Sequence, residues 1–361
     1  MKNQLPSWIY DLKESIKSWL GELMVPGLPF GRFRFARQGC VYMPYDIISV
    51  HEASGLYVRL GLADNLTDRQ KQEWVDLSLS WRDPQTGAVC DPDGIEKALP
   101  NNDSLTFSVK AIRRSFARCQ CGVFDIRKPP LQNEVKAFLD IEKLRKAFDA
   151  EAWETNSWGA GTHCAHYIAA LIQWRDAGHN EFDESIKEAV ECLYARQNPE
   201  TGAFGRPGED PVVAIGGILK IYTRLFKTMG MEVHYPEKII DLCLEQSRAG
   251  SIHQNCPIQN TMMNFLMCLN FTNYRKEEIR QQAYDALEKY VRPLISTDGA
   301  FCSGSDDSQY EYWGIKMVES GFGKQANIHL TNLMLSTVTV ITELLGCEDE
   351  LGYAPSGLKN V

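Results

Sequence analysis

Six times along this chain an amphipathic helical segment is followed by a more apolar one, and a glycine-bearing loop joins each pair. In FDESIKEAVECLYARQ (182–197), Ile186, Ala189, Val190 and Leu193 fall at i, i+3, i+4 and i+7, with Lys187, Glu188 and Glu191 off that stripe. One face is therefore buried and the other wet. In PVVAIGGILKIYTRLF (211–226), Val212, Val213, Ile215, Ile218, Leu219, Ile221 and Tyr222 nearly surround the axis, so that helix is expected to be buried on most sides.

The amphipathic segments lie near 7–20, 68–81, 134–152, 182–197, 236–247 and 276–294. The apolar ones lie near 45–61, 103–118, 162–175, 210–229, 257–271 and 327–345. The joining loops are PGLPFGRFRF, DPQTGAVCDP, ETNSWGAGTH, NPETGAFGRP, SRAGSIHQNCP and STDGAFCSGSDD. Their marker glycines Gly31, Gly87, Gly159, Gly202, Gly250 and Gly299 are 56, 72, 43, 48 and 49 residues apart, a degenerate repeat of helical hairpins. Glycine at these points supplies positive φ and ends the preceding helix. Six hairpins with outer amphipathic and inner apolar helices can close into two concentric rings, whereas an open solenoid needs polar end caps. The last inner helix, LTNLMLSTVTVITELLG, is one of the most apolar and no cap is visible. The expected class is all-α, an α6/α6 toroid forming a single domain over 1–361 with no sustained strand pattern.

Bulk properties narrow the function. The formal net charge is -9, which repels phosphate backbones and argues against nucleic acid. The N-terminus has no continuous apolar core of a signal peptide, and no run of about 18 apolar residues stands out as a membrane span. The eleven cysteines are scattered through apolar segments, the pattern of reduced thiols packed as small hydrophobes in a cytoplasmic protein. Cys119-Gln-Cys121 alone is a weak metal motif. No nucleophile elbow, P-loop or dinucleotide fingerprint is present.

The turns NPETGAFGRP, DPQTGAVCDP and STDGAFCSGS resemble the repeat of the prenyltransferase and squalene-cyclase (terpenoid cyclase and protein prenyltransferase) superfamily. In that repeat an outer helix ends in a Pro-x-x-Gly-Gly-Phe-like turn before an inner helix. Asp307-Ser-Gln-Tyr310-Glu-Tyr312-Trp313, followed by His329, is similar to that family's zinc-binding segment. The resemblance implies Asp307 and His329 as metal ligands, but Gln309 stands where the thiolate ligand belongs. A glutamine carbonyl is a poor zinc ligand, so zinc is disfavoured, and Cys302 is the nearest substitute. The Asp-x-Asp-Asp and Asp-Asp-x-x-Asp cyclase motifs fail at Gly304 and Tyr310.

In a toroid, the loops and first turns of the inner helices rim the central cavity. There the chain places Asp46, Asp103, His163, His166, Asp210, Gln259, Asn260, Asp306, Asp307 and His329, a set suited to acid/base work. His163 and His166, at i and i+3, share a helix face beside Trp158. The expected catalytic residues are His163, His166, His329, Asp306 and Asp307. The carboxylates would orient a histidine or stabilise positive charge, and Trp158, Gln309, Tyr310, Tyr312 and Trp313 would line a small-molecule pocket. His51, His179, His234 and His253 read as packing or connecting residues. The expected function is a terpene cyclase/prenyltransferase-like enzyme with altered motifs. The alternatives are a carbohydrate-active lyase or hydrolase, since carboxylates with aromatics suit sugars, and a non-catalytic binding scaffold.

Overall fold

A computed structural model describes residues 5–82, 124, 131, 133–229, 231–252, 255–312 and 314–358. The expected inner helix at 103–118, the Gly87 turn, Cys119 and Cys121, Asp103, His253 and Trp313 lie outside the described residues. The chain divides into two compact units. The first contains Met1–Pro130, Asp285–Thr342 and Gly346–Pro355; the second contains Leu131–Tyr284, Glu343–Leu345 and Ser356–Val361.

The described architecture is all-α, as the periodicity requires. The helices are α1 (Trp8–Leu23), α2 (Ile47–Arg59), α3 (Asp68–Ser80), α4 (Ile141–Asp149), α5 (Ser157–Asp176), α6 (Asp183–Tyr194), α7 (Pro211–Met229), α8 (Pro236–Arg248), α9 (Asn255–Cys268), α10 (Lys276–Ala286) and α11 (Ile328–Leu345). Outer helices bury one stripe: α6 buries Ile186, Ala189 and Leu193 and exposes Lys187 and Glu191. Inner helix α5 buries thirteen of its twenty residues. α11 is the one described helix long and apolar enough to cross a membrane, and 78% of that window is buried inside the protein, where its apolar surface is already removed from water.

The marker glycines do a common job. Gly31, Gly202 and Gly299 take φ of +94°, +72° and +83°, and each turn lies against the outer helix of the next hairpin. A Cβ on Gly31 would sit 2.6 Å from the Trp74 ring of α3, and one on Gly202 would sit 2.6 Å from Ile239 of α8. A Cβ on Gly299 would strike Ser15 of α1. In the first unit, then, the last hairpin meets the first as the first meets the second. α11 likewise packs on α2, where a Cβ on Gly55 would come 2.7 Å from Asn332. The strand-like segment before α2 joins in, with the Ile328 amide donating to the Phe35 carbonyl. This seam joins the last hairpin to the first within the first unit.

Four expectations need correction. The segment 134–152 is not one helix: a 3₁₀ stretch, Asn133–Leu139, precedes α4, whose N-terminus is capped by the Asp140 carboxylate. α5 begins at Ser157, before the expected 162, because Asn156 caps it through the Gly159 amide. Gly159 therefore lies inside a helix, and Gly161 packs against Ile221 and the Gly217 carbonyl of α7, a close approach that a larger residue would block. Finally, the segment after Asp307 is not a plain loop. It forms a hairpin of β1 (Tyr310–Tyr312) and β2 (Ile315–Val318), antiparallel and turning at Gly314 with φ +75°. Cys40, Cys164, Cys192, Cys243, Cys268, Cys302 and Cys347 carry free thiols.

Candidate active site

In the first unit, α2 and α11 bring a buried carboxylate and an imidazole together. Glu52, 5% exposed, accepts from His329 Nδ1 at 2.8 Å on one oxygen and from Asn332 Nδ2 at 2.6 Å on the other. Arg59 Nε donates to Asn332 Oδ1 at 3.2 Å. The result is a continuous chain, Arg59–Asn332–Glu52–His329. Burial alone pushes the Glu52 carboxyl up, but the charge and hydrogen bond of His329, aided by His51 and Asn332, outweigh it and hold the group below its ordinary value. A buried carboxylate costs several kcal/mol to desolvate. Here the offset comes from two donors, each bond to a charged group worth about 1.5–3 kcal/mol.

Backbone contacts fix where these side chains lie. Asn327 caps α11, its Oδ1 accepting from the Leu330 amide at 2.9 Å. The Phe301 amide donates to Thr331 Oγ1 at 3.1 Å, which ties the first turn of α11 to the Gly299 turn. Asp46 is wholly buried and caps α2 through the Ser49 amide and hydroxyl.

The β-hairpin supplies the aromatic wall. Tyr312 meets the His329 ring edge to face at 4.6 Å, and Tyr310 lies 6.3 Å from it while stacking on Phe35 at 5.7 Å. The His329 side chain keeps 16% of its surface exposed. Its Nε2 makes no hydrogen bond with a described residue and is not among the sealed polar atoms. A ring held at Nδ1 and open at Nε2 is the arrangement of a general base.

Asp307 does not orient His329, contrary to expectation. Its carboxylate accepts from the Gly321 amide at 2.8 Å and the Ser308 amide at 2.7 Å, and these bonds, led by Gly321, depress its pKa. Ser308 Oγ donates to the Glu319 carbonyl at 2.6 Å. Asp307 thus closes the base of the hairpin that carries the two tyrosines. Asp306 and Gln309 are exposed. The zinc ligands that the family resemblance implied are not gathered: Cys302 is buried with its thiol on the Leu294 carbonyl, and His329 is paired with Glu52. Among the described residues, no three His, Cys, Asp or Glu side chains converge to hold a metal ion.

The second unit holds the other expected cluster. His163 Nδ1 lies 2.8 Å from Glu151 Oε2, and His166 is 8% exposed on the same helix. Trp158 is half-buried against α7, where Gly216 leaves room for its ring. Ser157 donates through its amide and hydroxyl to Glu209 at 2.8 and 2.5 Å. Asp210 caps α7 through the Val212 amide. The expected site residues therefore divide between the units, His163, His166 and Trp158 in one and His329, Tyr310 and Tyr312 in the other.

Glu52, Asn332 and Arg59 escaped the sequence reading. One signal pointed to Glu52: it is the sole acidic residue of the inner helix IISVHEASGLYVR, and a carboxylate buried in such a place requires a partner.

No protein-family model matches the chain, and no curated protein matches it. Two solved structures align with it. One is the GH76A alpha-1,6-mannanase from Salegentibacter sp. HEL1_6, at 12% identity and a TM-score of 0.47, covering 96% of this chain and 100% of that one. The other is a family 76 glycoside hydrolase from a bovine Bacteroides thetaiotaomicron strain, at 9% identity and 0.44, covering 93% and 78%. Both are glycoside hydrolases by description.

Proposed function

We propose that the protein is a carbohydrate-active enzyme in which His329, held by Glu52, transfers the proton and Tyr310 and Tyr312 receive the sugar. The observation that carries this reading is the Glu52–His329 pair set against two tyrosine rings with Nε2 left open. A positioned imidazole contributes about 10²–10⁴-fold to a proton transfer. Tyrosine offers an apolar face to the C–H surface of a sugar and a hydroxyl to its polar edge. The open group is an imidazole, whereas glycoside hydrolysis in its usual form employs two carboxylates about 5–9.5 Å apart. That favours proton abstraction from carbon, a lyase-type elimination, over hydrolysis. In such a step the C–H proton passes to Nε2, the ring C–O bond to the leaving sugar breaks with its electron pair, and a carbon–carbon double bond forms. The leaving oxygen is protonated by the Tyr310 hydroxyl or by water.

A panel of uronate-containing and neutral polysaccharides tests this, with unsaturated product followed by ultraviolet absorbance and new reducing ends followed chemically. The expected result is an absorbing product whose formation falls at least about 10²-fold in His329→Ala. Reducing ends without unsaturation, unchanged in that variant, would replace elimination by hydrolysis elsewhere. Turnover of an allylic diphosphate with no glycan attacked would overturn the carbohydrate reading.

A further inference from the structure

The chain Arg59–Asn332–Glu52–His329 has only one possible direction. An arginine Nε can donate and cannot accept. It therefore presents a donor to Asn332, whose carbonyl must face it, leaving the amide N–H for Glu52. The observed distances, 3.2 Å and 2.6 Å, agree with that assignment. An ionised carboxylate only accepts, so the remaining contact at 2.8 Å must be a donation from His329 Nδ1. The neutral imidazole then carries its proton on Nδ1 and its lone pair on Nε2.

We propose that Asn332 is the positioning residue that holds the Glu52 side chain against His329, and with it the tautomer that Glu52 dictates, with its own orientation imposed by Arg59 and its seat provided by Gly55. The seat is specific: a Cβ on Gly55 would come within 2.7 Å of Asn332 Nδ2 and 2.9 Å of its Oδ1. Gly55 lies inside α2 without positive φ, so the helix itself has no need of glycine there. The space it leaves is filled by the amide. Asn332 touches neither the open Nε2 nor the tyrosine wall in any described hydrogen bond, and acts only through Glu52.

Glu52→Gln has an unusual consequence under this assignment. The glutamine has one carbonyl oxygen in place of two acceptors. Asn332 cannot turn, because turning would set its N–H₂ against the Arg59 donor. The new carbonyl must therefore face Asn332 and the new N–H₂ must face His329. The ring can meet it only by accepting at Nδ1, which moves its proton to Nε2.

The test uses the full chain labelled with ¹⁵N-histidine and long-range imidazole proton–nitrogen spectra, with the His329 signals identified by their loss in His329→Gln. The wild type should show the Nδ1–H form of the neutral ring. Glu52→Gln should invert it to Nε2–H. Adding Asn332→Ala should release the glutamine amide and reduce the Nε2–H fraction at least two-fold. Gly55→Ala added to Glu52→Gln should do the same in a helix whose intrinsic propensity is improved, which covers the case where loss of the asparagine harms folding. Persistence of Nδ1–H in Glu52→Gln, or an inversion indifferent to both second changes, would overturn the assignment. The proposal concerns the site assigned above to carbohydrate chemistry, but the spectra require no substrate. Inverted tautomers with no glycan turned over would refute the functional reading alone. Glycan turnover with unmoved tautomers would refute the role of Asn332 alone.

Discussion

Gly31→Ala compared with Gly27→Ala measures what the marker glycines contribute. Both residues lie in the loop between α1 and α2 with positive φ, +94° and +75°. A Cβ at position 27 meets nothing within 4 Å, whereas at position 31 it would lie 2.6, 2.9 and 3.0 Å from three atoms of Trp74. Both substitutions bear the left-handed backbone cost of about 1–2 kcal/mol for a residue with a Cβ. Only Gly31→Ala adds overpacking, about 1–3 kcal/mol. Trp74 cannot easily yield. It is fully buried, its Nε1 donates to the Val50 carbonyl at 3.1 Å, and its ring packs among Phe30, Phe33, Tyr57 and Phe124. We expect about 1–2 kcal/mol lost in Gly27→Ala and about 2–5 in Gly31→Ala. Urea unfolding followed by tryptophan fluorescence and by circular dichroism reads both, with the slopes checked for a common unfolding unit. Equal losses in the two variants would show that the turn does not lean on α3, and the repeat reading of Gly31, Gly202 and Gly299 would fall with it.

Glu52 should leave a pH signature on stability. Its carboxyl titrates below the ordinary 4.5 in the fold. The unfolded chain therefore takes up the proton first, and the contribution is full above about pH 4.5 and fades as the pH falls through the folded value. Urea midpoints at about pH 7 and pH 4 should differ less in Glu52→Gln than in the wild type, by the share this residue supplies. Asp307→Ala should loosen the hairpin and leave the helices intact. Hydrogen exchange should quicken at the Gly321 and Phe322 amides, and protection in α11 should persist. Gly216→Val should displace the Trp158 ring and destabilise the α5–α7 packing by about 1–3 kcal/mol, with Trp158→Ala in the same chain recovering part of the loss in a double-mutant cycle.

Helices were legible in this chain because a burial stripe is written into every turn. α3 and α8 fall within a residue or two of the segments read from periodicity. The failures have a shared cause. Glycine marks a turn at Gly31, Gly202, Gly250 and Gly299. Gly159 instead lies inside α5 against its Asn156 cap, and Gly161 serves close packing of α5 on α7. Composition cannot separate these uses, because the second depends on which helix lies opposite. The hairpin at Tyr310–Val318 was hidden for a similar reason. Three- and four-residue strands carry too little alternation to register, and this pair is held by Asp307 and by the backbone of Gly39 and Val41.

The site shows the same division more sharply. Loop carboxylates attracted the functional reading because they are conspicuous, yet backbone amides claim Asp46, Asp210 and Asp307 first. An N–H left unpaired at a helix start or hairpin base is costly when buried, so a nearby carboxylate is more readily absorbed there than left free for chemistry. Glu52 escapes that competition. It sits inside a helix whose amides are already bonded, and only side chains from another hairpin can satisfy it. His329 and Asn332 do so from about 280 positions away in sequence. In a fold of stacked hairpins, the carboxylate best placed for chemistry is therefore the one on an inner helix that local backbone cannot neutralise. Its partners become visible only once the last hairpin has been laid against the first.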